Sequence, residues 1–181
     1  MKGAPVLPAT GGPLARLQPA TVHDVDAIMA LEQAAYPLPW TPGNFRDILL
    51  DQTGRYCMQL LQLQQAGGRW ELAGYFVALL GVEEAHLLNV AVHPQYQGQG
   101  WARLLLEQLR LWAMSQGAEQ IWLEVRLSNP HARQVYERFG FVLMGLRKNY
   151  YPAVGGGREH AEVMCLRLKD AAGNWAGSLR Q

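Results

Sequence analysis

Leu88-Asn89-Val90-Ala91-Val92-His93-Pro94-Gln95-Tyr96-Gln97-Gly98-Gln99-Gly100-Trp101-Ala102-Arg103 carries the chain from a short apolar strand, through a proline turn, to the start of a long amphipathic helix. The first amides of a helix have no intrahelical acceptor and carry partial positive charge, so a helix start is an anion site. Gly98 and Gly100 leave the main chain open to close approach. The segment therefore reads as a phosphate site between residues 90 and 103. A P-loop would need Gly-Lys-Ser/Thr at its end, which is absent. A dinucleotide fingerprint needs a third small residue where Arg103 stands, so that reading fails on its glycines although Glu124 lies near the expected acid position.

Working outward, strands and helices alternate. Leu14 to Gln18 reads as a first strand. Thr21 caps a helix, with Asp24 three residues on as the reciprocal acid, and Val25, Ile28, Met29 and Leu31 form its apolar stripe. That helix ends near Tyr36-Pro37. Thr41-Pro42 opens a second helix as N-cap and first residue. Tyr56 to Leu63 and Trp70 to Val82 form a hairpin around Ala66-Gly67-Gly68, and Ala85 to Val92 is the next strand. Gln99 to Gln116 forms the long helix, about 27 Å by rise per residue, with Leu104, Leu105, Leu109 and Trp112 on one face and Gly117 as its stop. Gln120 to Arg126 is a strand, Pro130 to Phe139 a helix, and Phe141 to Tyr150 with Ala161 to Leu168 a closing hairpin. The expected fold is mixed α/β: one domain over residues 14–168, with a mostly antiparallel twisted sheet of about seven strands and about four helices. Residues 1–13 and 169–181 read as tails, the first mobile, the second with Trp175 free to dock.

Composition suits a small soluble enzyme. The 181 residues favour one domain with a substantial core. Lys and Arg total 16 against 15 Asp and Glu, so no strong field points to nucleic acid or an anionic membrane. Cys57 and Cys165 sit far apart in apolar strands and read as reduced core thiols. The five histidines show no ligand spacing, so no metal site is expected. No apolar run reaches spanning length and the start lacks a signal pattern, which gives a cytoplasmic expectation.

Gln97-x-x-Gly100-x-Ala102 after Val90-Ala91-Val92 resembles the acetyl-CoA loop of the GCN5-related N-acetyltransferases. A second signature follows as Trp122-Leu123-Glu124-Val125-Arg126, Ser128-Asn129, Ala132, Tyr136 and Gly140-Phe141. Within that superfamily the chain is most similar to the bacterial ribosomal-protein alanine N-acetyltransferases of the RimI type. Asn89 to Val92, the Trp122 to Arg126 strand and Asn149-Tyr150-Tyr151-Pro152 carry that likeness, with Pro39-Trp40 and Gly157-Arg158-Glu159. It spans roughly residues 14–168.

The resemblance implies direct transfer of an acetyl group from acetyl-CoA to an amine, with no covalent enzyme intermediate. It assigns the backbone of Val90, Ala91 and Val92 to the pantetheine arm and the thioester carbonyl. The amides of Gly98, Gln99, Gly100, Trp101, Ala102 and Arg103 fall to the pyrophosphate, and Asn129 to the CoA arm. Gly98 stands where a basic residue is common, and Ala102 replaces the last glycine. Glu124 is implied as general base acting through water, and Tyr136 as proton or hydrogen-bond donor to the departing thiolate.

The residues themselves leave plainer readings open. Glu124 shares a strand face with Trp122 and Arg126, so a salt bridge with Arg126 or a neighbouring strand is the structural alternative. Ala132, Val135, Tyr136 and Phe139 make a helix stripe on which Tyr136 would be a core residue. Asn129 before Pro130 is also a natural N-cap. Tyr150 and Tyr151, adjacent on a strand, should face opposite ways, and one of them with Asn149 is expected to line the acceptor groove. Trp40 and Phe45 are candidates for its opposite wall.

The implied acceptor is the N-terminal α-amine of a protein, with the N-terminal alanine of small-subunit ribosomal protein 18 as the expected substrate. Such an amine, with a pKa of about 7.7–8.0, is partly neutral at cytosolic pH, whereas lysine at about 10.4 is almost wholly charged. The alternatives are a lysine or small-amine acetyltransferase and a non-catalytic acyl-CoA sensor.

Overall fold

A computed structural model describes residues 6–7 and 13–169. Its strands run in the order β1-β2-β3-β4-β5-β6-β8-β7 in one sheet. They are β1 (Val6–Leu7), β2 (Ala15–Pro19), β3 (Tyr56–Gln64), β4 (Trp70–Leu80), β5 (Glu84–Val92), β6 (Gln120–Arg126), β7 (Val142–Pro152) and β8 (Arg158–Arg167). The helices are α1 (Val25–Ala35), α2 (Pro42–Leu49), α3 (Trp101–Ser115) and α4 (Pro130–Phe139). β5 and β6 pair in parallel, while β1–β2, β2–β3, β6–β8 and β7–β8 are antiparallel. The mixed, mostly antiparallel α/β fold expected from the sequence is the fold observed.

The expected tails lie mostly outside the described residues, as does Trp175. Within the first of them, however, Val6 and Leu7 pair with Arg16 and Ala15, so those two residues are strand rather than free tail. The chain divides into two compact units, one from residues 1–77 with 89–105 and the other from 78–88 with 106–181.

In the first unit, the Thr21 amide and hydroxyl both donate to the Asp24 carboxylate at 2.8 Å, closing a short 3-10 turn that leads into α1. Thr41 accepts from the Asn44 amide at 3.3 Å and Pro42 occupies the first turn of α2, so the second helix starts where its capping signal stands. Val25, Ile28 and Leu31 of α1 join Phe45, Met58, Leu60, Tyr75, Val77 and Ala91 in a buried cluster. Phe45 is wholly buried there, its ring 5.7 Å edge-on from Tyr75, and this removes it as a groove wall. Its fate follows from its place on the one apolar stripe of a short helix.

In the second unit, Ile121, Leu123 and Val125 are buried and alternate with half-buried Trp122, Glu124 and Arg126. Gly117 adopts φ 80°, and the amides of Gly117 and Ala118 reach back to Met114 and Ala113 at 3.0 Å. That left-handed stop ends α3 as its glycine predicts. The buried face of α3 runs through Leu105, Leu106, Leu109 and Ala113 rather than Leu104 and Trp112, a rotation of the expected stripe by about one residue. Both cysteines are free and buried, and burial pushes the Cys57 thiol up to about 11. Val142, Leu143, Met144 and Leu146 are exposed on β7, the terminal strand of the sheet order. Among the described residues, no helix is long and apolar enough to cross a membrane.

Candidate active site

The first unit holds the strand, loop and helix start read as the anion site. Ala91 and Val92 are buried and Val90 is half-buried. The Gln97 side-chain amide donates to the Val92 carbonyl at 3.0 Å and so ties the loop back onto β5. Gln99 donates to the Gln95 carbonyl at 3.1 Å, and the Trp101 indole N–H donates to Gln99 at 3.3 Å. Gly98 and Gly100 take φ 74° and 89°, backbone that side chains rarely adopt, and a Cβ on either would meet open space. These glycines are therefore required by conformation rather than by crowding. α3 then begins at Trp101, so the amides of Trp101, Ala102 and Arg103 occupy its first turn and lack intrahelical acceptors. Arg103 is exposed.

One group here escaped the sequence reading. Glu32, on α1, is 1% exposed and accepts from the Trp40 amide at 2.9 Å, from the Asn89 side chain at 3.3 Å, and from the Tyr75 hydroxyl. Burial, and after it the Glu32 carboxylate, push the Tyr75 phenol well above its ordinary range, so it stays a donor. The signal was present. Position 32 continues the Val25–Ile28 stripe at helical spacing, and an acid there had to be buried.

The second unit gathers the acid and the tyrosines. Glu124 is 16% exposed, and its partner is Arg147 at 3.1 Å. Arg126, one of the partners the sequence left open, pairs instead with Glu159 at 2.6 Å and donates to the Pro152 carbonyl at 2.7 Å. Burial would raise the Glu159 carboxyl, but hydrogen bonds from Arg126 and Ser128 outweigh it and hold it below the usual carboxylate range. The Tyr151 hydroxyl donates to the Glu124 carbonyl at 3.2 Å, and Arg126 lies 4.2 Å over its ring. Burial, with the Glu124 and Tyr150 charges next, pushes the Tyr151 phenol up to about 12.

Tyr150 and Tyr151 do not face opposite ways. Their ring centroids are 4.9 Å apart in an edge contact. The cause is a bulge: the β7–β8 register shifts between Arg147 and Tyr151, and Asn149 takes a left-handed φ of 50°. Between those pairs three residues of β7 stand against one of β8, and the left-handed turn at Asn149 among them breaks the two-residue alternation. Arg158 stitches the bulge from β8, donating to the Asn149 carbonyl at 2.5 Å and to the Tyr150 carbonyl. The Asn149 amide donates to His160 at 3.0 Å. Tyr151 is thereby half-buried while Tyr150 stays exposed.

Tyr136 on α4 is buried, 5.8 Å edge-on from Phe141. Burial, and then Tyr151, raise its phenol far above the ordinary value, so at neutral pH it is a hydrogen-bond donor. Asn129 caps α4 by accepting from the Ala132 amide at 3.1 Å, which commits its carbonyl oxygen. Arg133 fixes the same helix to β8 through Glu162 at 2.7 Å. Among the described residues no cluster of three or more His, Cys, Asp or Glu could hold a metal ion.

A helix start with paired glycines in the first unit, and a strand acid and a buried helix tyrosine in the second, match the parts expected of an acyl-CoA-dependent transferase. The sequence matches the Acetyltransferase (GNAT) family over residues 25–141, and the chain belongs to that family. Among its relatives is the ribosomal protein bS18-alanine N-acetyltransferase of Haemophilus influenzae, 38% identical over 80% of this chain and 93% of that protein. The protein of the same name from Escherichia coli K12 is 39% identical over 80% and 92%. A crystal structure of the ribosomal-protein-S18-alanine N-acetyltransferase from Escherichia coli superposes with a TM-score of 0.73 and 34% identity, over 92% of this chain and 99% of that one.

Proposed function

We propose that this chain acetylates the N-terminal α-amine of ribosomal protein bS18, at alanine, using acetyl-CoA as donor in the cytoplasm. The observation that carries the reading is the similarity to enzymes of that name along almost their whole length. The Glu124–Tyr151–Tyr150 grouping beside the 149–151 bulge adds to it, since a small amine would have little use for an aromatic wall.

In this reading the backbone of Val90, Ala91 and Val92 holds the pantetheine arm and polarises the thioester. The amides of Gly98, Gln99, Gly100, Trp101, Ala102 and Arg103 take the pyrophosphate, and the Asn129 side chain meets the arm. Glu124 accepts the proton of the attacking amine through water. The neutral amine attacks the thioester carbon, the C–S bond breaks, and the acetyl group passes to nitrogen. Tyr136 donates a hydrogen bond to the departing sulfur. Full proton transfer from a phenol raised this far to a thiolate would be uphill, so CoA takes its final proton from solvent. Trp40, Asn149, Tyr150 and Tyr151 contact the substrate N-terminus.

Release of CoA with two matched peptides tests this. Turnover is expected on a peptide with the bS18 N-terminus and a free alanine, and none on an N-blocked peptide with an internal lysine. Tyr136→Phe should lower kcat on the first by about tenfold, the worth of one hydrogen bond to a charged atom. Turnover on the blocked peptide alone would move the activity to lysine, and binding of acetyl-CoA without turnover on either would overturn the reading.

A further inference from the structure

Glu32 is a charged group in an apolar core, and its partners are three neutral donors on three different segments. The Trp40 amide belongs to the connection between α1 and α2, the Tyr75 hydroxyl to β4, and the Asn89 amide to β5. One turn further along, the Tyr36 hydroxyl donates to the Val90 carbonyl. The end of α1 is thus bonded to β5 at two consecutive residues, and the same carboxylate holds the amide that precedes α2. Trp40 itself is half-buried, 5.5 Å from the Phe45 ring, so its side chain has a fixed floor and its backbone a fixed anchor.

An apolar residue of similar volume would serve packing at least as well as a buried carboxylate, whose desolvation is costly. A carboxylate has what an apolar residue lacks: acceptor sites that can take several donors at once. We infer that Glu32 is a positioning residue of the acceptor site, clamping the Trp40 turn to β5 so that Trp40 is presented in one orientation to the incoming N-terminus. The inference rests on Trp40 belonging to the acceptor wall. Glu32 touches no reacting atom and acts through Trp40 and Asn89.

Glu32→Ala and the isosteric Glu32→Gln in the full-length protein test it. Hydrogen exchange at the Trp40 amide needs no substrate. It should quicken by about tenfold or more in Glu32→Ala, and by less in Glu32→Gln, because an amide oxygen is the weaker acceptor. Amides of Leu60 and Leu61 in β3 should keep their protection. With the free-alanine peptide, KM should rise by about tenfold in Glu32→Ala while kcat and the acetyl-CoA dissociation constant stay within about threefold, with Glu32→Gln between it and the parent.

Unaltered Trp40 exchange would overturn the clamp whatever the peptide does. Quickened exchange with unchanged peptide KM would overturn the role at the acceptor and leave only an anchor. Should Glu32→Ala fail to fold, the Gln variant decides: a folded Glu32→Gln with parental exchange and parental KM sinks the inference. Quickened exchange in a protein whose parent ignores the peptide would place the fault in the choice of acceptor instead.

Discussion

Glu124→Gln should lower kcat/KM on the free-alanine peptide by about 10²- to 10⁴-fold, the range of a general base, while acetyl-CoA binds as before. The substitution keeps size, removes the ability to take a proton, and leaves Arg147 without its charged partner. Its effect on stability should be within about 1 kcal/mol, because the partner, Arg147, is half-exposed and the pair is screened. Two controls separate catalysis from structure. If the carboxylate served only to hold Arg147, Arg147→Ala would reproduce the loss, so a mild Arg147→Ala beside a severe Glu124→Gln supports the base. The defect should also shrink as pH rises above about 8, where the α-amine loses its proton unaided. Tyr151, pushed up to about 12, does not titrate in that window, so the rise in rate there belongs to the amine. An activity ratio that stays flat with pH would remove Glu124 from proton transfer.

Gly74→Val is expected to lower stability by about 1–3 kcal/mol, the usual cost of overpacking, and to weaken acetyl-CoA binding by about tenfold or more. A Cβ at Gly74 would stand 2.7 Å from the Ala91 carbonyl oxygen and 3.1 Å from Leu105 Cδ1, with Val92 Cα at 3.5 Å. The nearest atom is backbone and cannot swing away as a side-chain tip would. Relief must come from moving Ala91 and Val92, the residues proposed to hold the pantetheine arm. Gly145→Ala on β7 is the matched control, since its Cβ would meet nothing within 4 Å. Thermal unfolding and calorimetric titration with acetyl-CoA read both effects. Unchanged acetyl-CoA affinity in Gly74→Val would mean that the Ala91–Val92 backbone does not bind the donor.

What could be read from the chain divides along a physical line. Signals that act within a turn or two were legible. Thr41-Pro42, Asn129-Pro130 and Gly117 fix helix ends by chemistry local to them, and β6 and α4 begin and end where the sequence placed them. Features set by a neighbour far along the chain were not. Phe45 is covered by Tyr75 of β4 and by the α1 stripe, neighbours remote along the chain. Both Arg126 and Arg147 could have reached Glu124, and the choice fell to Glu159, which takes Arg126 away. Gly74 matters because of Ala91 on the adjoining segment, and nothing around residue 74 announces it. The bulge at Asn149 exists only relative to the register of β8, so the tyrosine pair could be named from sequence but not aimed. Glu32 was the one avoidable miss, since its stripe position was visible.

The same bulge bears on edge-to-edge pairing through β7. A terminal strand offers a row of unpaired amides and carbonyls to any passing chain, and β7 presents Val142, Leu143, Met144 and Leu146 along that row. A flat, regular strand of that composition would invite edge-to-edge pairing. The irregularity between Arg147 and Tyr151, reinforced by two adjacent cations at Arg147 and Lys148, spoils the second half of β7 as a template. Straightening it, by deleting the two surplus residues between Arg147 and Tyr151, would lengthen the pairable edge and should cost solubility as well as aim.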